Sequence, residues 1–391
     1  MQLATVFRLI LASAWLTLGV AHAQGSADYQ FQTRAALPLG LGGHAATVLD
    51  SGMVLVVGGQ AQSSAYQSAC YLYDPALDLW TATGALAEAR RGVKLAHLNG
   101  GGVLAVGGSI GDSSASVERY NPTDGQWQVV ESMGVARDSH AVVTLIDGSV
   151  LAIGGRELVS GTGTVLSSVK RFDPGTGLWS AATPMIYTRM NHTATLLDNG
   201  EVLVAGGYGG SAVGALSSAE IYNPRTGVWR PAADLPETRL NHIDLPLNSG
   251  EVMLVGGNAA PFGAGVNIGL IYDSVADSWR SSAPSVFARR NTSAVRLQDG
   301  KIAVLGGGSP GELIVTNSAE VYNPASDSWT ATQRMIERRF LHVSVVLQSG
   351  DVLVIGGQRP TPSVSNLSAV EMMMPPPDEL FSSDFEDALS S

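Results

Sequence analysis

The stretch Arg189-Met190-Asn191-His192-Thr193-Ala194-Thr195-Leu196-Leu197-Asp198-Asn199-Gly200-Glu201-Val202-Leu203-Val204-Ala205-Gly206-Gly207 decides the fold. Thr193 to Leu197 and Glu201 to Ala205 are strand-like runs rich in β-branched and aliphatic side chains. Between them stands Asp198-Asn199-Gly200, where glycine supplies the positive φ that a tight hairpin turn needs. The stretch predicts an antiparallel hairpin, strands a and b, closed by Gly206-Gly207.

Outward from this hairpin the same pattern recurs. Gly-Gly pairs stand at Gly58, Gly107, Gly154, Gly206, Gly256, Gly306 and Gly356, with steps of 49, 47, 52, 50, 50 and 50 residues. Six residues before each pair is a turn glycine, from Gly52 to Gly350. A period near 50 with an apolar run before each pair predicts one supersecondary unit used seven times.

A third strand, c, ends in an aromatic residue and an Asp or Asn turn, as in Tyr73-Asp74-Pro75 and Tyr222-Asn223-Pro224. Seven residues after each aromatic comes a tryptophan that opens strand d: Trp80, Trp127, Trp179, Trp229, Trp279 and Trp329. Six rings at one repeat position predict core wedges between adjacent sheets. From each tryptophan to the next Gly-Gly pair is always 27 residues, whereas the span from the pair to the next aromatic varies from 13 to 18. The length variation is therefore confined to the b–c loop, a surface loop of the kind in which binding residues concentrate.

Four antiparallel strands with Gly-Gly after strand b, an aromatic on c and Trp on d resemble the kelch repeat. The resemblance spans about 350 residues and includes bacterial kelch proteins of the galactose oxidase central-domain type. It implies an all-β, seven-bladed kelch β-propeller with four antiparallel strands per blade. The seventh repeat has Gly356-Gly357 and a third strand ending at Pro375, but no tryptophan after it. Counting 27 residues back from Gly58 lands on Phe31. The N-terminal segment is therefore expected to supply the last blade's strand d, which leaves no open sheet edge. On this reading residues 24–375 form the propeller and 376–391 an acidic, disordered C-terminal tail.

Residues 1–23 read as a signal peptide. Arg8 gives a positive start, Leu9 to Val20 is an apolar run shorter than a membrane span, and Ala21-His22-Ala23 is a small-residue cleavage site. The expected location is exported, periplasmic or extracellular, with no membrane span in the mature chain. Without Arg8 the chain carries 22 basic and 34 acidic side chains, a formal net charge of −12. That balance, with no basic run, argues against nucleic acid as a partner. The single cysteine, Cys70, excludes an intrachain disulfide and falls at a packing position of the repeat.

Arginine stands 17 residues before Gly-Gly in six repeats (Arg90, Arg137, Arg189, Arg239, Arg289 and Arg339). Histidine follows three residues later in His140, His192, His242 and His342, and His44 holds the same place in the first repeat. A ring of metal ligands or an anion funnel is one reading. Repetition in nearly every blade favours the other, a structural task that each blade must solve. Glu118, Glu220, Glu320 and Glu371 on strand c are expected ion-pair partners of these arginines.

Function should break the symmetry, so the departures mark the candidate binding face, that of the b–c and d–a connections. The candidates are Arg156, Tyr187, Tyr208, Asn258, Phe262, Arg290 and Arg338, with Asn191, Asn241 and Asn291 recurring in three adjacent repeats. Aromatic faces and fork-shaped donors suit a sugar or a carboxylate. The copper radical oxidases that the resemblance brings in need a Cys–Tyr thioether and a Tyr-His pair, and this chain has no Tyr-His pair. A second resemblance, to periplasmic sialic acid epimerases, implies arginine and glutamate near the channel. The reading therefore assigns no catalytic residue, metal or cofactor. It expects a non-catalytic recognition module for a protein or glycan, with a carbohydrate-active enzyme like those epimerases as the alternative.

Overall fold

The computed structural model describes residues 29–261, 263–308, 315–360 and 364–376. Among these every regular element is a β-strand, arranged as seven four-stranded antiparallel sheets and two short ribbons, one on blade 3 and one on blade 7. In the fourth blade Thr193–Leu196, Val202–Ala205, Ala219–Asn223 and Val228–Ala232 pair in that order. In six sheets the strands pair in chain order, with the blade 3 ribbon inserted between the second and third; the seventh takes Gln30–Arg34 as its outer strand against Val370–Met374. Phe31 stands opposite Met373, as Trp80 stands opposite Tyr73 in blade 1. The expected closure by the N-terminal strand is the observed one. Residues 1–28, which include the expected signal peptide, and 377–391 of the expected acidic tail lie outside the described residues.

The first strands of successive blades pack on one another in a closed ring, the seventh touching the first. These strands therefore surround the axis, and each second strand behind them is buried along its whole length. Each apolar cluster joins two neighbouring blades, as where Val54, Tyr73 and Trp80 pack with Leu353, Ile355 and Val370. Every strand-c aromatic faces its strand-d tryptophan, with ring centroids 4.8–5.3 Å apart. Four of the six indoles also donate to a carbonyl of the preceding blade; Trp229 Nε1 reaches Thr183 O at 2.8 Å.

The Gly-Gly pair is the joint between blades. The Gly207 N–H donates to Arg239 O of the next blade at 2.7 Å, and five other repeats make the same bond. A Cβ on Gly206 would stand 2.3 Å from Arg239 O, and one on Gly207 2.8 Å from the Cβ of His192. Both glycines also have positive φ, 60° and 98°. Two reasons thus converge on glycine, close approach and left-handed backbone.

Candidate functional site

The repeated arginines lie inside the blades. Arg189 is fully buried; its Nη1 donates to Gly206 O and Ser218 O, both at 2.8 Å, and its Nη2 pairs with Glu220 at 2.8 Å. Arg90–Glu118, Arg289–Glu320 and Arg339–Glu371 repeat this pair. In blade 4 the glutamate then accepts from the Ile186 and Tyr187 N–H groups, so the ion pair holds the d–a connection down. Two blades depart. Arg137 faces Ser168 where the others have glutamate nearby, and Arg239 takes Glu237 from its own connection, since Leu270 replaces the strand-c glutamate.

Removing one partner of a buried pair strands the other charge and typically costs ~3–5 kcal/mol. Glu220→Leu should therefore lower the unfolding free energy by about that amount. Adding Tyr187→Glu, which copies the Leu270–Glu237 arrangement of blade 5, should restore part of it. Chemical denaturation checks this; equal stability of single and double variants would refute the internal-pair account.

The repeated histidines are wedges between blades. His192 sits under Gly207 of its own blade and against Gly154 of the preceding one. Burial, with the neighbouring arginine charge second, holds His44 down at about 4 and His242 at about 3; His140, His192 and His342 also lie well below the ordinary imidazole value. They are neutral at pH 7. Among the described residues no three His, Cys, Asp or Glu side chains are grouped to hold a metal. Cys70 is buried, and burial pushes its thiol up to about 11.

On the face of the b–c and d–a connections each blade adds a small second layer. The residue after Gly-Gly bridges the residue after the repeated arginine: Arg91 to Ser109, Asp138 to Arg156, Met190 to Tyr208, Leu240 to Asn258, Arg290 to Gly308, Phe340 to Gln358. With Gly42 to Gln60 in blade 1, seven structurally equivalent platforms carry six different residue types.

The connections that carry Tyr187 and Tyr208 are joined on blade 4, where Thr188 Oγ1 donates to Gly209 O at 3.0 Å. Tyr187 is 47% exposed, with the Arg189 guanidinium 5.7 Å from its ring. Arg156 opens the blade 3 ribbon (Arg156–Val159 with Thr162–Val165) and pairs with Asp138 at 3.0 Å. Asp138 also accepts from Ser113 and Ser139, which locks the ribbon to the loop of blade 2. Asn258 is buried: its amide donates to Ala260 O and its carbonyl accepts from Asn241 at 3.1 Å, so it shapes its own loop. Arg290 is half-buried and Arg338 exposed, on blades 6 and 7. Phe262 lies outside the described residues. Arg91, another departure beside a repeated arginine, is exposed, donates to Gln60 Oε1 at 2.9 Å and lies 5.8 Å from the centroid of the Tyr66 ring.

Asn191, Asn241 and Asn291 have a structural explanation. They share one ring position with Gly43, Gly92, Ser139 and Leu341, and all seven have φ between 50° and 63°. From this position Asn241 N donates to Asn191 O, Asn191 N to Ser139 O and Gly92 N to Gly43 O, blade to blade around the axis. Asparagine and glycine adopt this backbone readily; Leu341 adopts it at a steric cost. Leu341→Gly should stabilise the protein by about 1 kcal/mol, read as a higher melting temperature, and a lower one would contradict it.

Clefts of 260–510 Å³ open on the opposite face, between the a–b and c–d turns of adjacent blades. The largest is lined by Asp50, Gly101, Arg119, Asn121 and Asp124. They recur from one blade pair to another, as gaps between tapered sheets do.

The kelch motif matches residues 96–134, 139–186 and 189–236. Human Kelch-like protein 34 is 30% identical over 159 residues, which are 39% of this chain and 24% of that protein. Rat Kelch-like protein 21 is 33% identical over 114 residues, 28% of this chain and 17% of that one. The matched region thus spans a quarter or less of these relatives. A fungal alcohol oxidase, solved in complex with copper, superposes with a TM-score of 0.74 over 89% of this chain and 76% of its own, at 18% identity. That likeness is one of fold. The chain carries kelch motifs and folds as a seven-bladed β-propeller.

Proposed function

We propose that this kelch-motif propeller is an exported, non-catalytic module that recognises a protein or glycan through the face of its b–c and d–a connections. The observation that carries the reading is the second layer: equivalent backbone bridges in every blade present Ser109, Arg156, Tyr208 or Gly308 at one and the same place. A rigid repeated scaffold with one varied face is the usual form of a repeat-protein binding surface. Arg156, Tyr187, Tyr208, Arg290 and Arg338, joined by Arg91, are the residues expected to make contact. Export rests on the leader-like residues 1–23, and amino-terminal sequencing of the protein recovered outside the cytoplasm would test it.

The epimerase alternative finds little support. The strand-c glutamates and repeated arginines that it would call on are buried within the blades.

A thermal-shift screen of residues 24–391 against mono- and oligosaccharides, sialic acids, calcium and copper tests the reading. A ligand at 100 times its Kd adds about 2.7 kcal/mol. The shift should vanish in Tyr208→Ala and Arg290→Ala and survive Asp124→Ala on the opposite face. The reverse pattern would overturn the choice of face.

A further inference from the structure

Six blades carry the repeated arginine, and five of them set a carboxylate against it. Glu118, Glu220, Glu320 and Glu371 do so from strand c, and in blade 5 Glu237 does so from the d–a connection. Blade 3 has neither. Its strand-c position holds Lys170, which pairs with Ala152 and Ala181 in the register where Glu220 pairs with Val204 and Pro231. The connection position that Glu237 fills in blade 5 holds Val135. A cation thus takes the anion's place in the blade of Arg137, which is itself fully buried.

Arg137 is held by neutral oxygens. Its Nη1 donates to Gly154 O at 2.8 Å, Ser168 O at 3.1 Å and Ala152 O at 3.4 Å, and its Nη2 to Ser168 Oγ at 3.2 Å. The serine is no substitute for the carboxylate, because Arg189 Nη2 donates to Ser218 Oγ and to Glu220 together. The Arg137 Nε is buried without a partner, as in Arg90 and Arg339, whose Nη2 groups meet glutamate. Among the described residues no carboxylate pairs with Arg137; Glu157 of the ribbon acts on it only from beyond contact. Burial draws its pKa down to about 10, so the guanidinium stays charged at pH 7. A buried charge of this kind is costly until a counter-charge reaches it.

The connection beside this arginine is also built differently. Blades 4, 6 and 7 have Ile186, Val286 and Ile336, whose N–H groups donate to the glutamate, where blade 3 has Gly134. Gly134 is exposed, its N–H turns to Ser132 Oγ at 3.1 Å, and a Cβ there would meet nothing within 4 Å. The Val135 N–H makes no hydrogen bond among the described residues, whereas its counterparts on Tyr187 and Glu337 donate to Glu220 and Glu371. Arg137 and the Val135 N–H thus hold the positions that converge on a carboxylate in other blades, and no side chain covers the approach at Gly134.

We propose that blade 3 takes up a small external monocarboxylate, bound by the Arg137 guanidinium and the Val135 N–H where other blades build in glutamate, with Lys170 as a second cation. The guanidinium fork matches the two oxygens of a carboxylate. Acetate is the fitting size, since it reproduces the carboxyl group and last methylene of the glutamate that the other blades use. None of the three residues is among those expected to contact the recognised partner, so either reading can fail without the other.

The test is the melting temperature of the purified protein titrated with acetate at constant ionic strength, with chloride and sulfate as controls. Acetate should raise it in a saturable way, with an apparent affinity at least ~10-fold tighter than that of either inorganic anion. Lys170→Glu restores the strand-c carboxylate, so it should raise the melting temperature without ligand and abolish the acetate effect. Val135→Glu, which copies Glu237 of blade 5, should do the same from the connection. The proposal is overturned if acetate acts no more strongly than chloride or sulfate, or if its effect survives in either variant that folds.

Discussion

Deleting residues 29–35 should lower the melting temperature by about 10 °C or more, a loss on the order of 5 kcal/mol for a domain of this size. The segment supplies strand d of the seventh blade through five register pairs, from Gln30↔Met374 to Arg34↔Val370. It also ties that blade to the first: Ala35 N donates to Asp78 at 2.9 Å and Ala35 O accepts from Trp80 Nε1 at 2.8 Å. Without it Val370–Met374 becomes an open edge beside buried Val370 and Met372, which invites pairing with a second chain. Differential scanning calorimetry and light scattering read both effects. An unchanged transition would mean that the ring holds without its N-terminal strand.

Acid should unfold the protein earlier than its carboxylates alone would require. His44 and His242 are held neutral by burial down to about pH 4 and 3, whereas in the unfolded chain they titrate near 6.5. Below pH 6.5 the unfolded chain takes up protons that the folded chain refuses, so stability falls as pH falls through this window. His44 alone accounts for about 3 kcal/mol between pH 6.5 and 4. His140, His192 and His342 add to the same slope. Blade 2 shows how to remove the effect, since Val93 fills the position there. His44→Val should flatten the plot of unfolding free energy against pH between 6.5 and 4. Parallel plots for parent and variant would show that the wedge histidines titrate alike folded and unfolded.

Where the repeat set the structure, the residues announced it. The 27-residue interval from Trp to Gly-Gly places Phe31 in the missing strand, and there Phe31 faces Met373. Repetition also separated scaffold from candidate site: the arginines, glutamates and histidines present in most blades are buried between and within sheets. Asn191, Asn241 and Asn291 misled because they recur without being universal. Their common cause is a left-handed backbone, which glycine, serine or even leucine fills in other blades. Asn258 reads as a free amide in the chain, yet its loop folds over it and uses both ends of the amide.

The sequence by itself determined the number of blades, the strand content of each and the way the ring closes. These follow from turn chemistry and side-chain periodicity within about 50 residues, a range over which local physics decides. Only the tertiary structure decided what each loop residue meets. Ser113 and Asp138 belong to different repeats, and nothing in the sequence links them, yet Ser113 Oγ donates to Asp138 Oδ2 at 2.7 Å. They meet because wedge-shaped sheets, each packed on the next through Gly-Gly joints and tryptophan rings, bring the connections of neighbouring blades side by side.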